Sequence, residues 1–322
     1  EMCIRDRSHA VLKEHDLKRH AKDDETPEAE REKVTMNRYA SMPIGALSRG
    51  HSQFEGLTYQ VLSKSEDQIV MQAQTPAGLQ VTKTFDLTGT DAPGDGYVVK
   101  LNLNMKYVGE SGNFSGSGYF VYMGSAAPLY PGESGFNVGV HYLRKGKDKF
   151  RQSSYFKKAS RVNFTKDMES LLWGGTENQF FTLNLCAEAP SEGSLPLWAG
   201  RFPVKLVGYE NESEGVYGVH GAMGLPDFTL NPGEEKSWNY EIYAGPKHFP
   251  TLRQLDRRRS ELTGFDRVPI LGWMAEPFSK MLSSLMSWLY GILGNYGWAI
   301  IVITVIIRLA IWPLHIKSQR TM

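Results

Sequence analysis

The sequence predicts a mainly β chain: an antiparallel β-sandwich domain, then an amphipathic interfacial helix, then one transmembrane α-helix. Three observations predict it. From about Ala10 to Leu255, short alternating runs are broken by Gly, Pro, Asp and Asn, the texture of strands and turns. Residues 278–293 repeat apolar side chains at helical spacing. Residues 296–314 form an apolar run long enough to cross a bilayer.

The first segment, 1–9, reads E-M-C-I-R-D-R-S-H. No apolar stretch follows its charges, so it fits neither a signal peptide nor a domain start, and an artefactual start is expected.

The sandwich domain is expected over 10–255. In Y-V-V-K-L-N-L-N-M-K-Y, Tyr97, Val99, Leu101, Leu103, Met105 and Tyr107 point one way and Lys100, Asn102, Asn104 and Lys106 the other, so one face is buried. Similar runs cover 69–74, 79–87, 118–123, 179–185, 202–207 and 238–243. Many strands with no long helix between them favour an antiparallel sandwich over a parallel α/β sheet.

Chemistry-bearing patterns are sparse in this region. A net charge of +1 with 22% charged residues excludes any function that depends on strong overall charge. Cys3 and Cys186 give neither a disulfide framework nor a metal site. No G-x-S-x-G, H-E-x-x-H, C-x-x-C or phosphate-binding glycine loop occurs, and the eight histidines lack ligand spacing. Glu212, Glu214 and His220 form only a coincidental acid/base grouping. No catalytic residue, metal or cofactor is expected. Arg144 to Arg161 carries eight basic residues against one acid, Asp148, and is expected to form a solvated hairpin, with no role in binding nucleic acid.

A linker is expected over 256–277. Beyond it, Phe278, Met281, Leu282, Leu285, Leu289, Ile292 and Leu293 share one helical face, opposite Lys280, Ser283, Ser284 and Ser287. Trp288 and Tyr290 suit the headgroup level, so this helix is expected in the membrane interface. Its alternative is a packing helix of the soluble domain.

Residues 296–314 extend roughly 28 Å as a helix, close to the hydrocarbon thickness of a bilayer. A buried core helix is the alternative. Lys317 and Arg320 follow the run and no cation directly precedes it, which puts 315–322 in the cytoplasm and the large domain outside. Arg308 lies inside the run, where a cation costs about 3 kcal/mol on insertion scales. It either snorkels to the headgroups or faces a wet cavity, with Thr304 one turn earlier on the same face.

The segment G-N-Y-G-W-A-I-I-V-I-T-V-I-I-R-L-A-I-W-P-L resembles the second transmembrane helix of the YidC/Oxa/Alb family of membrane protein insertases. The resemblance rests on G-N-x-G, the isoleucine-rich stretch, Thr304, Arg308, and Pro313-Leu314. Leu230 to Leu252, with P-G-E at 232–234 and Gly245-Pro246-Lys247, is similar to the last strand of the family's large periplasmic domain, and W-G-G-T-E-N-Q-F-F at 173–181 is similar, more loosely, to its tryptophan-to-aromatic strand motif. The family's first anchor helix, the first strands of its periplasmic domain and its last four membrane helices have no counterpart here, so a fragment of a longer chain is expected.

The resemblance implies a β-supersandwich similar to sugar-epimerase-like folds, in the periplasm of a bacterium and anchored in its inner membrane. It further implies a non-enzymatic insertase or chaperone whose hydrophilic groove holds Arg308 and Thr304. The implied partners are nascent membrane proteins, the Sec translocon, the ribosome through absent cytoplasmic parts, and membrane lipids. The alternative is a membrane-anchored carbohydrate-binding or aldose-epimerase-like sandwich, which requires a cleft holding a histidine and a carboxylate.

Overall fold

The computed structural model describes residues 2–5, 9–16, 33–40, 42–50, 53–54, 56–87, 95–133, 135–158, 160–164, 171–188, 195–206, 209–255, 258–264 and 272–319. The chain divides into two compact units, Glu1–Lys247 and His248–Met322.

The first unit is all β. Its strands are β1 (Met2–Arg5), β2 (His9–Asp16), β3 (Lys33–Met36), β4 (Leu47–Arg49), β5 (Gln53–Phe54), β6 (Gln60–Lys64), β7 (Gln68–Gln74) and β8 (Leu79–Asp86). They continue with β9 (Val98–Tyr107), β10 (Phe114–Gly116), β11 (Tyr119–Ala126), β12 (Gly139–Arg144), β13 (Lys147–Gln152) and β14 (Arg161–Phe164). The last are β15 (Trp173–Glu177), β16 (Phe181–Ala187), β17 (Leu197–Pro203), β18 (Tyr217–Gly224), β19 (Phe228–Leu230) and β20 (Glu235–Pro246).

Two large antiparallel sheets supply the sandwich. One has nine strands in the order β13-β12-β15-β16-β20-β9-β8-β7-β6, the other six in the order β14-β17-β18-β11-β4-β5. Strand β9 shows why the sequence pattern sorts the faces. Val99, Leu101, Leu103 and Met105 are sealed in the core, while on the opposite face Asn102 Nδ2 donates to Asn239 Oδ1 at 2.6 Å and Asn104 Nδ2 to Ser237 Oγ at 2.9 Å. Cross-strand amide and hydroxyl pairs fix the register that the apolar face requires.

Strands β11 and β16 are buried along their whole length, so both of their faces are covered. The sheets meet closely at Gly124, where β11 shifts register against β18. Its φ is +107°, and an added Cβ would lie 2.0 Å from Leu183 Cδ2, so only glycine fits.

One expectation shifts. The strand expected over 202–207 ends at Pro203, because proline has no N–H to extend the ladder; the pairing instead runs back to Leu197 and buries Trp198. The basic segment becomes the hairpin β12–β13, turned by Lys145 and Gly146 at φ 47° and 68°. These left-handed values suit a tight two-residue turn. Its strand β13 is an edge of the nine-stranded sheet.

The second unit holds α1 (Phe249–Gln254), a 3-10 turn (Arg259–Thr263), α2 (Gly272–Leu293) and α3 (Tyr296–Gln319). The amphipathic stretch 278–293 therefore lies within a longer helix.

Among the described residues, no helix is long and apolar enough to cross a membrane. The span expected over 296–314 is corrected accordingly. Helix α3 runs from Tyr296 to Gln319 and carries Thr304, Arg308 and a polar end, His315 to Gln319, beside its apolar residues.

Candidate functional site

Helices α2 and α3 are joined by Gly294 and Asn295. Gly294 takes a left-handed φ of 64° and its N–H returns to Tyr290 O at 2.8 Å, which closes the end of α2. Asn295 Oδ1 accepts the Gly297 N–H at 2.7 Å and caps α3. Across the turn, the Tyr290 and Tyr296 rings stack with centroids 4.1 Å apart.

The seam between the two helices is formed by Leu289, Ala299 and Ile303, with Leu282, Leu285, Met286, Val302 and Ile307 packed around it. Ala299 leaves room for this approach because its side chain is a single methyl. The expected interfacial face of α2 is thus divided. Leu282, Leu285 and Leu289 turn to α3, whereas Phe278, Met281 and Trp288 stay exposed, Trp288 at 62%. On α3, Trp298, Ile300, Ile301, Val305, Ile306 and Leu309 are exposed as well. The hairpin is thus apolar both at its seam and on much of its outside.

Arg308 and Thr304 are both exposed on α3. The Thr304 hydroxyl donates to Ile300 O at 2.7 Å, one turn back, so it is satisfied within its own helix. A groove around these two residues is not formed by the described side chains.

The β unit holds a buried polar network that no sequence spacing announced. His141 on β12 places Nδ1 3.4 Å from Glu177 Oε2 and Nε2 3.2 Å from Asp148 Oδ2. Lys247 Nζ lies 3.3 Å from Glu177 Oε1 and donates to Asn178 O at 3.3 Å. The Trp173 ring meets the imidazole edge-on at 5.0 Å. Nearby, both oxygens of Glu133 accept backbone N–H groups, from Gln179 and Leu129, each at 2.7 Å. Burial pushes the Glu133 carboxyl up, against those two bonds and the Lys247 charge.

A histidine between two carboxylates has the donors and acceptors for proton transfer. However, His141 and Glu177 are each 0% exposed, so no substrate reaches them. A cavity of about 40 Å³ in this unit, lined by residues 35–39, 125–129 and Asn178, contains neither histidine nor carboxylate. Neither grouping is an open histidine–carboxylate cleft. His220 is partly buried among the rings of Tyr122, Trp198 and Phe202, and Glu214 lies exposed on a separate turn.

The network escaped sequence analysis because its members come from β12, β13, β15 and the residue after β20. Two of them, His141 and Glu177, lie in strands that are almost wholly buried.

Residues 8–289 match the family model described as the YidC periplasmic domain. The match ends before Thr304 and Arg308. A protein of Geobacter sulfurreducens named membrane protein insertase YidC is 29% identical over 257 residues, covering 77% of this chain and 41% of that protein. A protein of the same name from Nitratidesulfovibrio vulgaris is 28% identical, covering 76% of this chain and 40% of its own length. The chain thus spans about two fifths of the curated relatives it matches. Among solved structures, a putative aldose 1-epimerase from Escherichia coli K12 overlays with a TM-score of 0.35 and 11% identity, covering 58% of this chain and 68% of that one.

Proposed function

The chain belongs to the YidC periplasmic domain family, and from that premise we propose that it forms part of a membrane protein insertase. In this role it helps nascent membrane proteins integrate and fold in the bacterial inner membrane. The observation that carries the proposal is the family match over residues 8–289. The apolar exterior of α2 and α3 supports it, since such a surface favours lipid over water.

On this proposal the β unit stands in the periplasm as a scaffold. Phe278, Met281 and Trp288 of α2 face lipid at the outer interface. The exposed Trp298, Ile301, Val305 and Leu309 of α3 support placing this helix against lipid as well. Helices outside this chain would complete a hydrophilic groove around Thr304 and Arg308. There the cation attracts acidic parts of an incoming segment, and a wet groove shortens the apolar distance those parts must cross. No bond is made or broken. The Sec translocon and the ribosome are proposed as partners of the whole protein.

The test is complementation. The gene encoding this chain is expressed in a bacterium depleted of its own insertase, and insertion of a labelled membrane substrate is followed. Restored insertion is expected. Failure to restore it, with the protein present in the membrane, sinks the insertase proposal. Unchanged insertion by Arg308→Ala, including acidic-tailed substrates, removes only the role given to Arg308.

A further inference from the structure

The second unit holds an open cavity of about 360 Å³ lined by Phe249, Arg253, Ser260, Lys280, Met281 and Ser284. Three elements supply it. Phe249 and Arg253 are four residues apart on α1, so they share a face, as do Lys280 and Ser284 on α2. Ser260 comes from the 3-10 turn. The lining therefore combines two cations, two hydroxyls and two apolar side chains.

Among the described residues, Glu261 stands beside the lining, with Oε2 3.8 Å from Lys280 Nζ, while its Oε1 lies 3.3 Å from Arg258 Nη2 outside it. Arg253 forms no ion pair among the described residues. The Ser284 hydroxyl is committed to Lys280 O at 2.9 Å, and the Ser260 hydroxyl has no protein partner among the described residues, which leaves it to donate. Met281, 57% exposed, leads from the cavity to Phe278, 53% exposed, one turn earlier on α2.

Two cations and a free hydroxyl donor beside an exposed apolar strip match an amphiphile with an anionic head. We propose that this cavity binds the headgroup of an anionic phospholipid, with the phosphate between Arg253 and Lys280, Ser260 donating to it, and an acyl chain along Met281 and Phe278. The inference rests on the placement of α2 at the membrane interface. An anionic lipid fits better than a zwitterionic one because a choline or ethanolamine cation would meet the same two positive charges. Free phosphate would use the cations but gain nothing from Phe249 and Met281.

The experiment is flotation of the chain with phosphatidylcholine vesicles, with and without phosphatidylglycerol, at about 0.1 M salt, where screening leaves short contacts intact. Phosphatidylglycerol is expected to raise binding. Arg253→Gln and Lys280→Gln should each lower that gain roughly fivefold, Lys280→Arg should keep it, and the double variant Lys147→Gln, Lys149→Gln on β13 should leave it intact. Loss in the β13 variant, or full preference in the Arg253→Gln, Lys280→Gln double variant, overturns the inference.

A second readout separates lipid from free anion. Short-chain phosphatidylglycerol should shift the Met281 methyl resonance, and inorganic phosphate at equal concentration should not. Equal shifts overturn the lipid assignment. Binding to neutral vesicles without any phosphatidylglycerol preference sinks the cavity alone, whereas no binding to either vesicle sinks the interfacial placement beneath it.

Discussion

The His220 imidazole stands edge-on to the Trp198 indole, with ring centroids 5.2 Å apart and planes at 82°. The Arg161 guanidinium lies 4.4 Å from the same indole centroid. Burial first, and then the Arg161 charge, push the His220 pKa from 6.5 down to about 4.

Stability should therefore fall in mild acid. The unfolded chain takes up a proton on this histidine near pH 6.5, while the folded one stays neutral until about pH 4. Between those values the unfolded state binds more protons, so lowering the pH favours it. From pH 7 to pH 5 the loss should be about 2 kcal/mol. Urea midpoints followed by tryptophan fluorescence check this, and His220→Gln should flatten the dependence over this window. An equal slope in wild type and variant would assign the acid sensitivity to other groups.

Lys83 should show the opposite trend. It lies on the core side of β8 at 4% exposure, its ammonium 4.4 Å from the Tyr59 ring centroid, and burial lowers its pKa from 10.5 to about 7. Between pH 7 and 10.5 the unfolded chain binds more protons, so stability should rise with pH through that window, with the full cost of burying the charge felt below it. Lys83→Met keeps most of the volume and removes the charge. Its thermal midpoint should exceed wild type at pH 7 by several degrees, and the gap should close toward pH 10. A lower midpoint at pH 7 would mean that the contact with Tyr59 outweighs the desolvation.

Lys247→Met should damage the β unit far more than a surface change. It strips the cation from Glu177, whose carboxylate is sealed from solvent. Removing one partner of a buried pair costs about 3–5 kcal/mol. Adding Glu177→Gln to Lys247→Met should recover part of the loss, because no bare charge then remains. Denaturant midpoints of the two single variants and the double variant give this coupling directly. Additive losses would show that Lys247 and Glu177 act independently.

Much of the β unit was legible because strand faces are a local property. In β9 the alternation of Val99, Leu101, Leu103 and Met105 with Lys100, Asn102 and Asn104 is imposed by the pleat, so the chain displays it residue by residue. The break at Gly294-Asn295 was visible for the same reason, since a left-handed glycine and a capping asparagine act within one turn.

What the sequence determined by itself, then, is the β texture, the core face of strands such as β9, the helical periodicity of 278–293 and the apolar character of the run after Tyr296. Only the tertiary structure decided that Leu282, Leu285 and Leu289 turn to α3 while Phe278, Met281 and Trp288 face outward, since periodicity shows an apolar side but not which part of it a neighbour takes. It alone joined His141, Glu177 and Lys247, and gathered Arg253, Ser260 and Lys280 around one cavity. Those groupings bring together residues from separate elements, and no periodicity along a chain encodes which elements will meet.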